Sequence, residues 1–383
     1  MISSSAAMAS ASSSSASWSS ARVLGPDPSS WDSKAFAGAV VLPAEPLSST
    51  NSSAWRMYYY GRGSDLWNMG VTPFNASLPT GRIGLALSND GGLSFTRFKG
   101  PLPQGALLDP SDDPSTFDCV HIAVGDVAFN AFLNQWFLYY FGGGLDELPL
   151  VGSPDRQCKG VRLQPGLAVS DDGICFLHRQ GPILTVGDVG CWDQNGVSWP
   201  RVLQPASMDS DEKWIMSYHT RESGGLNNFG FFSAGIAVSD DGKVWEKKGK
   251  VLSCGEPGTW DEGGVSVRHI VRYNGRFLMF YEGSNYKFEF AIGLAVSDDS
   301  LVWMKDTECG PEPGGPILQA RKGESVWDNL VVGTPYVVVL QDGSLRMYYL
   351  GVGKKEEDPS TKQGIGIATS IGTDFRSWRT FVI

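Results

Sequence analysis

The 383-residue sequence holds only six cysteines, Cys119, Cys158, Cys175, Cys191, Cys254 and Cys309, and no two of them form a CxxC pair. So sparse a set cannot build the disulfide framework of a small secreted domain, and the six read as free thiols. Histidine is scarcer, with four residues and no HxxxH spacing, so the sequence offers no basis for a zinc site. No metal and no cofactor is expected. No apolar run approaches the ~20 residues of a membrane helix, which removes an integral membrane protein of the helical kind. Basic residues are also few: Lys and Arg number 31 against 41 Asp and Glu, a formal net charge of −10. With no basic stripe to hold a phosphate backbone, neither nucleic acid nor membrane is an expected partner, and a neutral or small polar ligand fits better.

Long helical patterns are missing too, and in their place stands a repeat. The phrase AGIAVSDDGKVWEKKGKVL from Ala234 to Leu252 has near copies beginning at Gly84, Gly166, Gly293 and Gly366. Each copy alternates apolar and small residues at period two, then meets an Asp/Gly turn, then an aromatic residue, which is how a hairpin of two strands reads. A second phrase precedes each copy: WRMYYYG from Trp55, WFLYYFG from Trp136, KWIMSYH from Lys213, FLMFYEG from Phe277 and LRMYYLG from Leu345. Ahead of that lies an inner run such as VSWPRVLQ, Val197 to Gln204, and ahead of each inner run an aromatic-Asp pair. Five such units of four strands, none able to bury its faces alone, predict an all-β fold, a five-bladed β-propeller with four-stranded antiparallel blades.

The repeat begins at Val23, so residues 23–383 are expected to form the propeller. Residues 1–22 are set apart as a disordered segment, almost wholly Ser and Ala, with no acidic residue before Asp27. That composition fits an organelle transit peptide, giving plastid (chloroplast) import as the expectation and a cytoplasmic location as the alternative. Val23-Leu24 matches the residue pair that ends other outer strands, so the two chain ends are expected to meet at the fifth blade and remove an exposed edge.

Strand direction alternates within a blade, so the start of each inner run and the loop after each second run share one face. The loops Gly61–Gly81, Gly142–Pro165 and Thr220–Phe232 on that face are long and differ between units, as binding loops on a rigid scaffold do. The SDDG turns lie on the other face as turn formers. The aromatic-Asp pairs, Asp32, Asp118, Asp193, Asp261 and Asp328, occur in every unit and are expected to do one structural job five times, bonding loop amides.

The order W-D, inner strand, M-Y-Y-x-G, G-I-G-x-A-x-S-x-D-G-x-x-W, G-P-I-L resembles the arabinanase, levansucrase and invertase superfamily of five-bladed glycosidase propellers, over nearly everything after Val23. The resemblance implies an Asp, an Asp and a Glu on the inner strands of the first three blades, where a glycosidase needs at least two carboxylates. Spacing to the second run puts Asp126 in the family's second position, with Ala39, Pro200, Val267 and Pro335 in the same column and Ser198 near the expected Glu. Lys34 to Leu42 and Gly196 to Gln204 contain no carboxylate at all. The catalytic candidates are therefore Asp126 with Glu262, beside Asp261 at the mouth of blade four, and Glu282, which stands where other units have Tyr60, Phe141, His219 and Leu350.

Candidates for substrate contact are Arg62, Asp65 and Trp67 in the first long loop, His121 and Arg268 on inner runs, and Gln194, Asn195, His219, Arg221 and Tyr286 at the same face, where polar groups and a flat ring suit a sugar. Three readings stay open. The chain is a glycoside hydrolase or glycosyl-transferring enzyme with an altered site, a catalytically silent binder of a carbohydrate or other small polar ligand, or a platform for a protein partner.

Overall fold

The second run shows why these phrases become strands. In Trp55–Arg62, aromatic side chains alternate across the pleat, so Tyr59 and Tyr58 leave on opposite faces. Tyr59 stacks on Trp31 and Phe36 of its own unit at 5.7 and 4.5 Å, whereas Tyr58 reaches Phe176 of the next unit at 6.4 Å. Both faces of the strand are thus buried between neighbours, each aromatic removing a large apolar surface from water.

The computed structural model describes residues 22–44, 54–63, 76–77, 80–150, 153–207, 210–226, 230–310, 312–323, 326–353 and 363–380. Among these the one helical element is the short 3-10 turn Pro103–Gly105, and the rest of the regular structure is strand. The fold is an all-β propeller of antiparallel four-stranded sheets. The strands Ala35–Leu42, Trp55–Arg62, Arg82–Ser88 and Thr96–Phe98 form the first sheet. His121–Asn130, Gln135–Gly143, Gln164–Ser170 and His178–Gln180 form the second. Ser198–Leu203, Trp214–Glu222, Phe231–Ser239 and Glu246–Leu252 form the third, joined to the fourth by one parallel bridge, Phe232 to Gly264. Gly264–Tyr273, Arg276–Ser284 and Phe290–Ser297 lead the fourth, whose outer position is shared by Met304–Lys305 and Leu318–Gln319. The inner strands touch in order around the axis, and the last, Val331–Val339, touches the first, Ala35–Leu42.

The ring closes through both chain ends. The strand Gln363–Ile371 pairs along one half with Arg22–Leu24 and along the other with Asp374–Thr380, leaving no free edge beside it. Phe381–Ile383 and residues 1–21 lie outside the described residues.

The repeated phrases lock each sheet to the axis. Asp118, Asp261 and Asp328 accept hydrogen bonds from the hydroxyls of Tyr140, Tyr281 and Tyr349 at 2.8, 3.1 and 2.7 Å. Each carboxylate also meets a cation from an outer strand or the residues after it: Arg97 with Asp32, Arg179 with Asp118, Lys247 with Asp193, Lys305 with Asp261 and Arg321 with Asp328. The expectation that these aspartates bond loop amides is thereby corrected: Asp118, Asp261 and Asp328 take the tyrosine hydroxyl of the second strand, whereas Asp193 takes Lys247. The glycine ending four of the five second phrases follows from this packing: a Cβ on Gly283 would stand 2.5 Å from the Trp260 ring. In the SDDG turns, Ser Oγ accepts a backbone N–H three or four residues on, as Ser239 does from Gly242 at 2.9 Å, and Asp241 accepts from Lys243 and Val244.

Every inner strand carries a bulge at the same level, between Ala37 and Val40, Val124 and Asp126, Ser198 and Arg201, Val265 and Arg268, and Gly333 and Tyr336. A bulge adds an unpaired residue and re-aims the side chains beyond it. The axial column expected from spacing is corrected in consequence. The residues level with Asp126 are Val40, Arg201, His269 and Tyr336, not Ala39, Pro200, Val267 and Pro335.

Candidate functional site

The face that gathers the long loops holds a cavity of about 1010 Å³. Its walls come from the loops 148–163 and 187–196 and from the strand end His219–Arg221 with Phe232; its base comes from the first residues of the inner strands, such as His121 and Ser198. The variable loops Gly142–Pro165 and Thr220–Phe232 therefore do line a pocket.

Trp199 forms the centre of the base. It is the bulged residue of its strand and stands at φ 52°, left-handed backbone that a bulky side chain rarely adopts. Arg268 holds it there: the guanidinium donates to the Trp199 carbonyl, to Ser217 O at 2.9 Å and to Ser266 O at 2.9 Å. The indole, half-buried, packs on Phe141 at 4.9 Å and beside His219 at 6.3 Å. Arg268 itself is wholly buried beneath the base and does not line the cavity, which corrects its assignment to substrate contact.

Arg268 Nη1 also lies 2.9 Å from His219 Nδ1. Since a guanidinium can only donate, Nδ1 is the acceptor and the ring proton sits on Nε2. Burial, then the Arg268 charge, holds His219 well below the usual imidazole range, so the ring is neutral.

Glu282 is the one carboxylate among the described residues that line the cavity. Its Oε1 accepts from Ser266 Oγ at 2.6 Å and its Oε2 from the Thr334 backbone N–H at 2.8 Å, one partner in its own sheet and one in the next. Burial pushes its carboxyl up, against the pull of those two hydrogen bonds.

Asp126 belongs elsewhere. The expectation that it opens into this cavity is corrected: the bulge turns it toward a smaller cavity of about 330 Å³ lined by the far ends of the inner strands. Both its oxygens accept backbone N–H groups, Val127 at 2.8 Å and Val202 at 2.7 Å. The Tyr336 hydroxyl also donates to it, and Arg201 is its nearby cation. Arg201 lies over the Tyr336 ring at 5.0 Å, and His269 stacks on that ring at 3.9 Å. Asp126, Arg201, His269 and Tyr336 thus form a buried polar layer across the axis.

Glu262 is likewise displaced from its expected role, because its Oε2 accepts the Gly258 N–H at 2.7 Å and so braces its own loop; it does not line the cavity. Arg62 ends its strand outside the lining. Tyr286 is also outside, but its hydroxyl sits against Gly225, next to the lining residue Gly224. Asp65 and Trp67 lie outside the described residues. His121, Gln194, Asn195, His219 and Arg221 do line the cavity. His121 sits between Tyr60 and Phe141, at 5.7 and 6.2 Å; Gln194 Oε1 accepts from Gly190 N at 2.8 Å; Asn195 Nδ2 donates to Arg221 O at 2.9 Å; and the Arg221 guanidinium lies over Phe232 at 5.8 Å.

Sequence reasoning missed Trp199, Phe232 and Ser266. For Trp199 a signal existed: Pro200 cannot donate to a ladder, and a proline inside a central strand marks a bulge at that point. No group of three or more His, Cys, Asp or Glu able to hold a metal occurs among the described residues.

Fold and cavity together define a β-propeller with a pocket at the loop face of its axis. Among solved structures, the chain is similar to one described as a glycoside hydrolase, at 18% identity and a TM-score of 0.60 over 92% of each chain. It is also similar to a thermostable family-43 glycoside hydrolase, at 17% and 0.58 over 91% of this chain and 92% of that one. A third is an alpha-L-arabinofuranosidase from Lactobacillus brevis, at 13% and 0.57 over 89% and 92%. The chain shares its propeller fold with these glycoside hydrolases. No family model and no curated protein matches the sequence.

Proposed function

We propose that the cavity binds a carbohydrate, with the Trp199 ring as the surface on which a sugar stacks. The observation that carries this reading is the place of Trp199 in the cavity lining. The inner-strand bulge is left-handed at Gly38 and Thr334 as well, but at Trp199 it holds a bulky ring, which costs about 1–3 kcal/mol and persists only where its surroundings over-determine it. Here the surroundings are Arg268 below and Phe141 beside, and the result is a partly buried aromatic ring in the lining with the neutral His219, Asn195 and Arg221. Polar groups around an aromatic face suit the alternating C–H and O–H surfaces of a sugar. The fold shared with glycoside hydrolases supports the same ligand class.

Binding is placed ahead of hydrolysis. The usual mechanism requires a second carboxylate about 5 to 9.5 Å from the first, whereas Glu282 is the single one among the described lining residues. One observation keeps hydrolysis as a second reading: burial raises the Glu282 carboxyl, as a general acid requires.

Calorimetry with a panel of neutral and acidic mono- and oligosaccharides tests the first reading, using Trp199→Asn as the control. Asparagine tolerates left-handed backbone and removes only the ring. Binding that weakens at least tenfold in the variant is expected; a panel with no binder would sink the proposal.

A further inference from the structure

The cavity lining is two-sided. One wall is aliphatic: Leu148, Pro149, Val161, Leu163 and Val189 all belong to the loops of the second sheet and its crossing to the third. Backbone bonds tie the middle of this wall to the third inner strand, since Leu163 N donates to Val161 O at 2.9 Å and Val197 N to Leu163 O at 2.7 Å. The strand Leu148–Leu150 is fixed in turn on Ser153–Lys159, which also pairs with Ala76–Ser77. Val189 is 98% exposed, a bare aliphatic side chain at the mouth. Arg162, within this wall, has its guanidinium 3.7 Å from Asp146.

The facing wall mixes aromatic side chains, Phe141, Phe232 and Phe290, with polar ones, and much of the hydrogen-bonding capacity of those polar groups is already engaged. Glu282 accepts from Ser266 and Thr334, His219 Nδ1 is held by Arg268, and Asn195 Nδ2 donates to Arg221 O and to Ser223 Oγ at 3.2 Å. A single sugar ring satisfies this side and leaves most of a cavity of about 1010 Å³ unfilled against aliphatic side chains. A free oligosaccharide would set its hydroxyls against that wall with no partners, which costs free energy.

Resting on the carbohydrate reading above, we infer that the ligand is a glycoside with an apolar aglycone, an alkyl, acyl or aryl group, whose sugar meets the Trp199 side and whose aglycone lies on the wall formed by Val161, Leu163 and Val189. Burying methylene groups there strengthens binding in proportion to chain length, whatever the sugar.

The test uses matched methyl and hexyl glycosides of glucose, galactose, xylose and arabinose in both anomers, below micellar concentration, with hexanol as a third probe. Binding is read by calorimetry on the intact protein, on Val189→Asp and on Val161→Asp. For at least one sugar the hexyl glycoside should bind tenfold or more tighter than the methyl glycoside. Val189→Asp, at a fully exposed position that leaves folding intact, should remove most of that gain. Equal affinity of methyl and hexyl glycosides, or a gain that survives both substitutions, overturns the inference while leaving the carbohydrate reading standing. Hexanol binding as tightly as every hexyl glycoside overturns the carbohydrate reading instead and leaves the aliphatic wall as the binding surface. Absence of binding by every probe overturns both.

Discussion

Trp199 and Gly38 meet across the propeller axis, and a Cβ built on Gly38 would stand 3.1 Å from Cζ2 of the indole. Gly38 is the bulged residue of the first inner strand, at φ 69°, as Trp199 is of the third. The indole therefore occupies the room into which a longer side chain of the first inner strand would project. Gly38→Ala should lower stability by about 1–3 kcal/mol, from the left-handed backbone and the tight contact together. Urea unfolding reads the loss, and an unchanged midpoint would show that Trp199 moves aside freely.

The aspartate-tyrosine bonds predict a second loss. Tyr349 donates to Asp328 at 2.7 Å in a buried setting, and Arg321 completes the group at 2.9 Å. Hydrogen bonds to charged groups contribute about 1.5–3 kcal/mol each, so Tyr349→Phe should destabilise by that amount. Tyr218→Phe provides the contrast, because the Tyr218 hydroxyl has no hydrogen-bond partner among the described residues and Asp193 is served by Lys247 alone. Thermal melts of the two variants should differ clearly, with Tyr218→Phe near wild type.

Much of this scaffold is legible in the sequence, and the reason is physical. Asp261 and Tyr281 recur in every unit, and Trp260 and Gly283 in all but one each, where Phe117 and Thr220 stand instead, because one packing solution is used repeatedly, and a repeated solution leaves a repeated phrase. The site is less legible because it rests on what differs between units. Spacing puts Pro200 and Pro335 level with Asp126 only for a strand of uniform rise; the bulges at Trp199 and Thr334, both left-handed and both before proline, shift Arg201 and Tyr336 into that layer. Glu282 can be located by counting because its second strand has no bulge. Glu262 cannot, because its direction depends on a loop turn that closes on Gly258.

The buried layer gives a pH signature. Burial pushes Asp126 up to about 6, against the pull of Arg201 and of its hydrogen bonds. A carboxyl raised above its unfolded value adds stability that is fully present below the unfolded pKa, near 4, and is lost as pH rises through about 6. Asp126→Asn has no such titration, although it loses an acceptor to one of two backbone N–H groups. The stability gap between wild type and variant should therefore be widest at pH 4 and narrow by pH 7.5, by an amount on the order of 2–3 kcal/mol. Chemical denaturation at the two pH values measures it, and a gap that widens toward neutral pH would contradict the sign.

Arg201 is the other half of that layer, and its removal should show coupling. The guanidinium is almost wholly buried, donates to Ala39 O at 3.3 Å, and leaves Nε and Nη1 without hydrogen-bond partners among the described residues. The nearby Asp126 charge, without a direct ion pair, opposes the large cost of burying it. Arg201→Leu alone removes a costly buried cation but leaves Asp126 without one, and near pH 7.5 should destabilise by about 3–5 kcal/mol. With Asp126→Asn in the background the same substitution leaves no uncompensated charge, so its cost should fall by about half or more. The double-mutant cycle isolates this term because the two side chains share one layer. Additive losses would mean that Asp126 is held by its two backbone N–H groups and the Tyr336 hydroxyl, with Arg201 serving to pack Tyr336.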